Sequence, residues 1–267
     1  MNILIPMAGA GSRFAEKGYK EHKPVIKITD RITGKKIPMV ISATNDVVPL
    51  GSTDKIIYIN RDFHKNDGVE EEIKSFFPSA KFITINYLTQ GQASTCLLAK
   101  NEIENDEELL ISACDNGINF NINNFNKIKQ TCDAIIFTFK NNSTVESKPE
   151  GYGWVKVNGE DVVDVSVKIP ISQNPKNDNA IVGTFWFKKG KDFVKATEKM
   201  IKENDRVKNE FYVDKTMKHC LDLGLKVKVF EVEKYICWGT PEDYENYENT
   251  IKYWQEFYKN EKWIYEK

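Results

Sequence analysis

The sequence predicts an α/β protein of three layers, built on a mostly parallel sheet with a β-rich subsection in its second half. Two observations support this prediction. Short β-rich runs alternate with segments of helical spacing up to residue 139, which is typical of parallel strands joined by crossover helices. After residue 150 the β-rich runs follow one another through a tight turn, which is typical of an antiparallel hairpin.

The hydrophobic pattern places the individual elements. Strands are expected at residues 2–7, 55–60, 81–86, 108–113 and 134–139, with helices between them at 38–48, 68–77, 92–103 and 123–131. The second half predicts a hairpin from 153–158 and 162–169, strands at 180–187 and 225–232, and helices at 192–203 and 211–223. Pro241 suits the first position of a last helix.

One domain over residues 1–250 is expected, because no linker, repeat or low-complexity tract interrupts the chain. It divides at about residue 145 into the alternating first part and a second part, 146–240. Residues 251–267 form a separate stretch that is rich in aromatic side chains. Two interpretations of this stretch stay open, a helix packed on its own domain and a contact between two copies of the chain.

Composition excludes several classes of protein. The 38 basic and 39 acidic residues give a net charge of -1, so a general nucleic-acid partner is not expected. No run approaches the ~20 apolar residues of a membrane helix, and no signal peptide is expected. Five scattered cysteines without a CxxC spacing indicate reduced thiols and a cytoplasmic protein.

The stretch AGAGSRF at residues 8–14 follows the first expected strand. Small residues after a buried strand let backbone N–H groups approach phosphate oxygens. Phe14 stands where a dinucleotide-binding loop needs its third glycine, and the Gly-Lys-Ser/Thr of a P-loop is absent. Arg13 and Lys23 add two cations, which suit a polyphosphate. A tight turn with surface cations is the alternative.

Two further stretches end expected strands. TQGQA at residues 89–93 can read base edges through its backbone and its glutamine amides, or can simply begin a helix. ISACDNG at residues 111–117 places Asp115 at the carboxyl edge of the sheet, where a phosphate-bound cation needs a ligand. A turn-forming aspartate is the alternative there. Ala113 and Gly117 count against the Asp-x-Asp of glycosyltransferases.

The combination of AGAGSRF with Lys23-Pro24 resembles the signature of the sugar-phosphate nucleotidyltransferases, or pyrophosphorylases. The resemblance recurs in order along the chain to about residue 248. It implies a Rossmann-like sheet of the nucleotidyltransferase type, with a nucleotide-binding part at 1–145 and an acceptor-binding part at 146–240. It also implies a nucleoside triphosphate and a small phosphorylated acceptor as partners.

The resemblance implies a role for each matching residue of the first part. Arg13 and Lys23 contact the phosphates, and Asp115 binds Mg²⁺ (or Mn²⁺). The remaining nucleotide-binding residues are Ala8, Gly9, Ala10, Gly11, Gln90, Gly91 and Gln92.

On the acceptor side, Lys168 in VSVKIP resembles a lysine that meets the acceptor phosphate, although Val167 replaces the usual glutamate. The other acceptor-binding residues that the resemblance implies are Tyr152, Gly153, Gly183, Glu210 and Trp238.

One position departs from the family. YICWGTPED resembles a Trp-x-Asp-x-Gly-Thr-Pro-Glu-Asp motif whose aspartate is the second metal ligand, but Cys237 occupies that position. A thiol suits Mg²⁺ badly. Either Asp115 alone anchors the metal, or another carboxylate, Asp214 or Asp243, substitutes.

The expected reaction is the condensation of a nucleoside triphosphate with a phosphomonoester, by in-line attack on the α-phosphate and release of pyrophosphate. The motif without its aspartate resembles capsule-locus cytidylyltransferases, one of which transfers CMP to phosphoglutamine in capsule phosphoramidate synthesis, so CTP is favoured. A UTP- or dTTP-dependent sugar-1-phosphate enzyme and a catalytically inactive nucleotide-binding regulator stay open. His22, His64 and His219 show no metal spacing and are interpreted as structural or surface residues.

Overall fold

The computed structural model describes residues 1–50 and 55–265, without the side chains of residue 50 and residues 260–265. The strands are β1 Asn2–Pro6, β2 Lys27–Thr29, β3 Lys36–Pro38, β4 Ile56–Arg61, β5 Lys81–Ile85, β6 Leu109–Ile111, β7 Asn116–Asn119, β8 Ala134–Phe139, β9 Gly153–Asn158, β10 Asp161–Val167, β11 Asn179–Phe187, β12 Val227–Glu231 and β13 Lys234–Cys237. The α-helices are α1 Ser12–Glu16, α2 Met39–Val47, α3 Asp62–Asn66, α4 Val69–Phe76, α5 Gln92–Leu97, α6 Lys100–Ile103, α7 Ile122–Ile128, α8 Thr144–Ser147, α9 Gly190–Lys202, α10 Val213–Asp222 and α11 Pro241–Tyr265.

Nine strands form one sheet in the order β5-β4-β1-β6-β11-β8-β12-β10-β9. The first four are parallel to one another. β11 then runs antiparallel to both β6 and β8, and β10 runs antiparallel to β12 and β9. The sheet is therefore mixed, and the prediction of a mostly parallel sheet describes its first half but not its second.

Both faces of this sheet are buried along its central strands, as β1 shows. Along β1, Leu4 belongs to one core cluster together with residues of α5, α9 and α10. Its neighbours Ile3 and Ile5 belong to a second cluster together with residues of α2, α4 and α7. Successive side chains of a strand point to opposite faces, so helices cover the sheet on both sides. The three layers that the sequence predicts are present.

The second half of the sheet is bent around β11. β9 pairs with β10 and also with the first residues of β11. The register of β11 on β8 shifts between Ile181 and Phe185, and Gly183 within that shift has a φ of 96°. A side chain would be strained at such an angle, so the glycine permits the irregularity.

Two small sheets lie outside the main one. β2 pairs with β3, and β13 pairs with β7 so that Cys237 stands opposite Asn116. The sequence pattern missed both pairs, because strands of three or four residues are too short to show a period. The second pair brings the segment around Cys237 next to Asp115, whose carbonyl accepts a hydrogen bond from the Trp238 N–H at 3.0 Å.

The beginning of the last helix, α11, packs on the domain. The Tyr244 and Tyr247 hydroxyls donate to the carbonyls of Lys27 and Thr29, at 3.1 and 2.5 Å. Further along, four aromatic side chains are 36% to 66% exposed: Tyr253, Trp254, Phe257 and Tyr258. Trp254 and Tyr258 also border a cavity together with Thr29 and Arg31, so both interpretations of 251–267 stay open, and residues 266 and 267 lie outside the described part. No helix in that part is long and apolar enough to cross a bilayer.

Candidate active site

A cavity of about 580 Å³ opens where the parallel strands β5, β4, β1 and β6 end. The residues that follow each strand line it: 7–11 after β1, 63 and 64 after β4, 88 and 89 after β5, and 113–115 after β6. The carboxyl ends of parallel strands meet at one edge of a sheet, which is where α/β proteins bind ligands. The cavity is therefore the candidate active site.

The structure divides the sequence-predicted residues into two groups. Those that line the cavity are Ala8, Gly9, Ala10, Gly11, Lys23, Gly91, Gln92, Asp115 and Glu210. Those that do not line it are Arg13, Gln90, Tyr152, Gly153, Lys168, Gly183 and Trp238.

The glycine-rich turn leaves open space beside its backbone. A Cβ placed on Gly9 would meet no protein atom within 4 Å. The fold therefore does not exclude a side chain there, and the space is available to a ligand that approaches the backbone closely. Gly11 has a φ of 63°, which a glycine adopts without strain, and it ends the turn at the start of α1.

Phe14 anchors this turn to the core. Its ring is 1% exposed and meets Tyr19 edge to face, with centroids 5.2 Å apart. Phe14 therefore fixes the position of α1. Arg13, its neighbour on α1, is exposed, and its positive charge is near enough to Lys23 and Lys168 to oppose their protonation slightly.

Lys23 and Asp115 meet at the floor of the cavity. Lys23 Nζ lies 2.5 Å from Asp115 Oδ2 and donates a second hydrogen bond to the Gly239 carbonyl at 3.2 Å. Burial opposes the charge on Lys23, but the Asp115 carboxylate outweighs it, so the pKa of Lys23 lies above its ordinary value. The site thus holds a protonated amine beside a carboxylate.

The loop at residues 89–92 forms the opposite wall of the cavity. Thr89, Gly91 and Gln92 line it. Gly91 has a φ of 116°, and a Cβ there would lie 2.6 Å from the Phe211 nitrogen and oxygen. Only glycine fits that position. Gln90 is exposed and accepts a hydrogen bond from Arg206 at 3.0 Å, so its side chain is engaged outside the cavity.

Lys168 lies beside the cavity wall. Its Nζ is 5.5 Å from the centre of the Tyr212 ring, which lines the cavity, and it donates to the Gly151 carbonyl. Burial lowers the pKa of Lys168, and the Asp214 carboxylate partly offsets that effect. Asp214 is also close to Gly153, since a Cβ on that glycine would lie 3.1 Å from its Cγ. Burial raises the pKa of Asp214 to about 6.

The other residues that the sequence analysis predicts to bind the acceptor have the following surroundings. Glu210 lines the cavity with Tyr212, and burial together with the Glu210 carboxylate raises the pKa of Tyr212 to about 12. Tyr152 packs edge to face on Phe139 at 5.7 Å. Gly183 faces residue 113, with a Cβ placed on it 3.5 Å from that of Ala113.

The structure corrects the prediction for Trp238. Its indole is 0% exposed and belongs to a core cluster with Phe14, Ile28 and Met39. A side chain without exposed surface cannot contact an acceptor, so the role of Trp238 is to pack in the core cluster that also holds Phe14. Its Cη2 atom would lie 2.8 Å from a Cβ on Gly117, which leaves that position no room for the aspartate of an Asp-x-Asp motif.

Cys237 lies close to Asp115 and is hydrogen-bonded to a second carboxylate, that of Asp243. Its thiol donates to Asp243 Oδ2 at 3.3 Å. Burial and the nearby Asp243 raise the pKa of Cys237 to about 12, so the thiol stays neutral. A Cβ on Gly239 would lie 3.4 Å from Asp115 Oδ2 and 3.5 Å from Cys237 Sγ. Of the two candidate substitutes, Asp243 is therefore beside this cluster, and Asp214 is beside Lys168.

A divalent cation has one ready protein ligand here. Among the described residues, no group of three His, Cys, Asp or Glu side chains could hold a metal ion. Asp115 nevertheless lines the same cavity as Gly9, beside which there is open space. Mg²⁺ commonly takes one or two carboxylates and completes its shell with substrate phosphates and water, so the residues present fit a phosphate-bound metal.

The sequence interpretation overlooked two histidines. His22 and His64 line the cavity together with Phe63, and the two imidazoles lie 5.1 Å apart. Burial lowers the pKa of His64 to about 4. Their place could have been anticipated, because residues 62–64 directly follow an expected parallel strand and His22 precedes Lys23. His219 is buried, with Nε2 3.0 Å from Asp205 Oδ2, in a structural position.

Comparison with known proteins shows the fold. No protein-family model matches the chain, and no curated protein matches it. Solved structures do match over nearly the whole chain. A nucleoside-diphosphate-sugar pyrophosphorylase from Vibrio cholerae RC9 is 20% identical, with a TM-score of 0.73 over 92% of this chain and 99% of that chain.

Two further structures show the same similarity. The inositol-1-phosphate CTP transferase from T. maritima is 15% identical, with a TM-score of 0.67 over 91% of this chain and 90% of that one. A UDP-glucose pyrophosphorylase in complex with UDP-glucose is 15% identical, with a TM-score of 0.65 over 94% of this chain and 98% of that one. The chain therefore has the fold of these nucleotidyltransferases.

Proposed function

We propose that this chain is a nucleotidyltransferase that condenses a nucleoside triphosphate with a small phosphomonoester and releases pyrophosphate. The observation that carries the proposal is the meeting of the glycine-rich turn, Lys23 and Asp115 at one edge of the sheet, in a cavity of about 580 Å³. The fold adds support, because the solved structures that share it include pyrophosphorylases and a CTP transferase.

The first obstacle to this reaction is the repulsion between two phosphates. Lys23 in the cavity and the nearby exposed Arg13 would offset the charge of the triphosphate and of the departing pyrophosphate. Lys168 would hold the phosphate of the acceptor, whose oxygen attacks the α-phosphorus as the bond to pyrophosphate breaks. No covalent enzyme intermediate is needed, because positioning and charge neutralisation supply most of the catalysis of phosphoryl transfer.

Asp115 would hold the metal ion. A Mg²⁺ (or Mn²⁺) ion bound there neutralises phosphate charge when the triphosphate is present. Lys23 donates to Oδ2 of Asp115, so its amine would exchange that carboxylate for a phosphate oxygen when Asp115 holds the metal. The loop residues Thr89, Gly91 and Gln92 would bind the base of the nucleotide. Glu210 would bind the acceptor.

CTP is the favoured nucleotide, and phosphoglutamine is one candidate acceptor. The support for CTP is the resemblance of the Cys237 motif to capsule-locus cytidylyltransferases, together with a CTP transferase among the structures of this fold. A UTP- or dTTP-dependent sugar-1-phosphate enzyme is the second candidate, and a nucleoside-diphosphate-sugar pyrophosphorylase among those structures favours it. The neutral Cys237 thiol favours a third candidate, a nucleotide-binding regulator without catalysis.

Pyrophosphate release separates these candidates. Purified protein with Mg²⁺ is given one nucleoside triphosphate at a time against a panel of phosphomonoesters that includes phosphoglutamine and hexose 1-phosphates. Turnover with one pair identifies the base and the acceptor together. Binding of a triphosphate without turnover of any pair would favour the regulator, and the absence of both would remove the nucleotidyltransferase proposal.

A further inference from the structure

Residues 206–211, here named the 206–211 hairpin, join the end of α9 to the start of α10. Val207 and Glu210 exchange two backbone hydrogen bonds of 3.0 Å. Lys208 and Asn209 between them have φ angles of 49° and 66°. Positive φ at both central residues is the mark of a type I′ turn, which suits asparagine and strains a lysine. The hairpin therefore has a defined shape.

The hairpin is bonded to the loop that forms the base side of the cavity. The Phe211 N–H donates to the Gln90 carbonyl at 2.8 Å, and the Ala93 N–H donates to the Phe211 carbonyl at 2.9 Å. Gly91 lies between these two bonds, against the backbone of Phe211. The Phe211 side chain is 1% exposed in the main core, so it anchors both segments.

Arg206 adds a side-chain link of the same kind. Its Nη2 donates to Gln90 Oε1 at 3.0 Å, and its Nε donates to Asn204 Oδ1 at 2.6 Å. Its guanidinium lies 4.2 Å from the centre of the Phe211 ring. Arg206 thus links the hairpin to the side chain of Gln90, which does not line the cavity.

We propose that Arg206 is a positioning residue for the nucleotide: through Gln90 it holds residues 89–93 against the 206–211 hairpin. This inference rests on the proposed function. In this proposal Gln90 does not contact the nucleotide. Its side-chain amide holds the loop in place, and Thr89, Gly91 and Gln92 contact the base. Glu210 of the same hairpin lines the acceptor side, so one element sets the distance between the two substrates.

The first test needs no ligand. Arg206→Met keeps the contact with the Phe211 ring and removes the hydrogen bond to Gln90. Amide hydrogen exchange on the free protein should then become about tenfold faster at Ala93 and Phe211, because loss of a charge-assisted hydrogen bond eases local opening. Lys202→Met, a matched change on an exposed residue at the end of α9, should leave both rates unchanged.

The second test measures nucleotide binding and kinetics. Calorimetry with CTP and with UTP, each with Mg²⁺, should show Kd about tenfold higher in Arg206→Met for the nucleotide that the wild type binds. The KM for that nucleotide should rise by a similar factor while kcat changes little, which general destabilisation would not produce. Gln90→Ala should match Arg206→Met, and the double variant should be no worse than either single one.

The outcomes separate the two proposals. Wild-type protein that binds neither of these nucleotides nor any other nucleoside triphosphate, dTTP included, would overturn the proposed function and, with it, the role of Arg206 in nucleotide binding. Wild-type binding with unchanged Kd and exchange rates in Arg206→Met would overturn the positioning role alone. A Gln90→Ala defect without an Arg206→Met defect would also overturn it, because Gln90 would then act on the nucleotide directly.

Discussion

Lys23 Nζ and Asp115 Oδ2 lie 2.5 Å apart, although 92 positions separate the two residues in the chain. The pair joins the segment after the glycine-rich turn to the end of β6. Both side chains are only partly exposed, at 20% and 27%. In the proposed reaction the Lys23 amine would bind a phosphate oxygen, and the Asp115 carboxylate would bind the metal.

Asp115→Asn should lower kcat/KM about a hundredfold or more, because it removes the carboxylate that would hold the metal and pairs with Lys23. Pyrophosphate release measures the effect. Asp161→Asn, an exposed aspartate at the start of β10, is the matched control and should retain full activity. Activity near wild type in Asp115→Asn would remove this residue from the mechanism.

Arg13→Ala should also lower kcat/KM about a hundredfold, since the charge of the exposed guanidinium reaches Lys23 and Lys168 and would offset transition-state charge. The melting temperature should hardly change, because the side chain is exposed. Lys17→Ala removes another exposed cation of the same segment and should have little effect on turnover. Equal activities of the two variants would contradict a role for Arg13.

Gly91→Ala should destabilise the protein and abolish nucleotide binding. The new Cβ would lie 2.6 Å from the Phe211 backbone at a φ of 116°, and strain of this kind costs about 1–3 kcal/mol. Gly159→Ala is a matched comparison, because its φ is also positive, at 64°, but no atom lies within 4 Å of the added Cβ. Thermal unfolding should show the larger loss in Gly91→Ala, and equal losses would argue against the close packing on Phe211.

Asp214→Asn should alter the pH dependence of stability. Burial raises the pKa of Asp214 in the folded protein to about 6 from an ordinary value of 3.8. Between those values the folded state binds the proton more tightly than the unfolded state, so this residue's contribution to stability falls as the pH rises through 6. Because an asparagine cannot ionise, the stability of the variant does not fall with pH for this reason.

The melting temperature of Asp214→Asn relative to the wild type should therefore be higher at about pH 7.5 than at about pH 4.5. The exposed Asp161→Asn should show no such trend. A difference that is independent of pH would mean that the Asp214 carboxyl titrates normally in the folded protein.

Cys237→Asp should make stability depend on magnesium. The new carboxylate would stand next to Asp243, which the thiol now contacts at 3.3 Å, and near Asp115. Without a divalent cation, repulsion among these groups should lower the melting temperature, and Mg²⁺ should restore it more than in the wild type. We expect activity to be unchanged or improved. Cys237→Ser is the control, and an equal response to Mg²⁺ in both variants would contradict a metal position beside Cys237.

The periodic elements could be predicted from the sequence, with errors where local pattern is weak. β9 spans 153–158 and α11 begins at Pro241, as expected. The expected helix at 92–103 is two short helices, α5 and α6, that meet at residues 98 and 99. The antiparallel direction of β11 between β6 and β8 could not be predicted, because strand order depends on contacts between distant segments.

For the candidate site too, some residues could be predicted from the sequence and others could not. Ala8 to Gly11, Lys23 and Asp115 could be proposed from short motifs, because strand ends, glycines and charges are visible in the sequence. The sequence by itself determined that a small-residue turn follows the first strand and that Phe14 excludes a dinucleotide loop. Only the tertiary structure decided which side chains face the cavity.

In the folded protein Gln90 is hydrogen-bonded to Arg206, and Trp238 is buried. His22 and His64 line the cavity. The physical reason is that composition and periodicity constrain which face of an element is buried. The partner of each polar side chain depends on which distant segments the folded sheet places beside it.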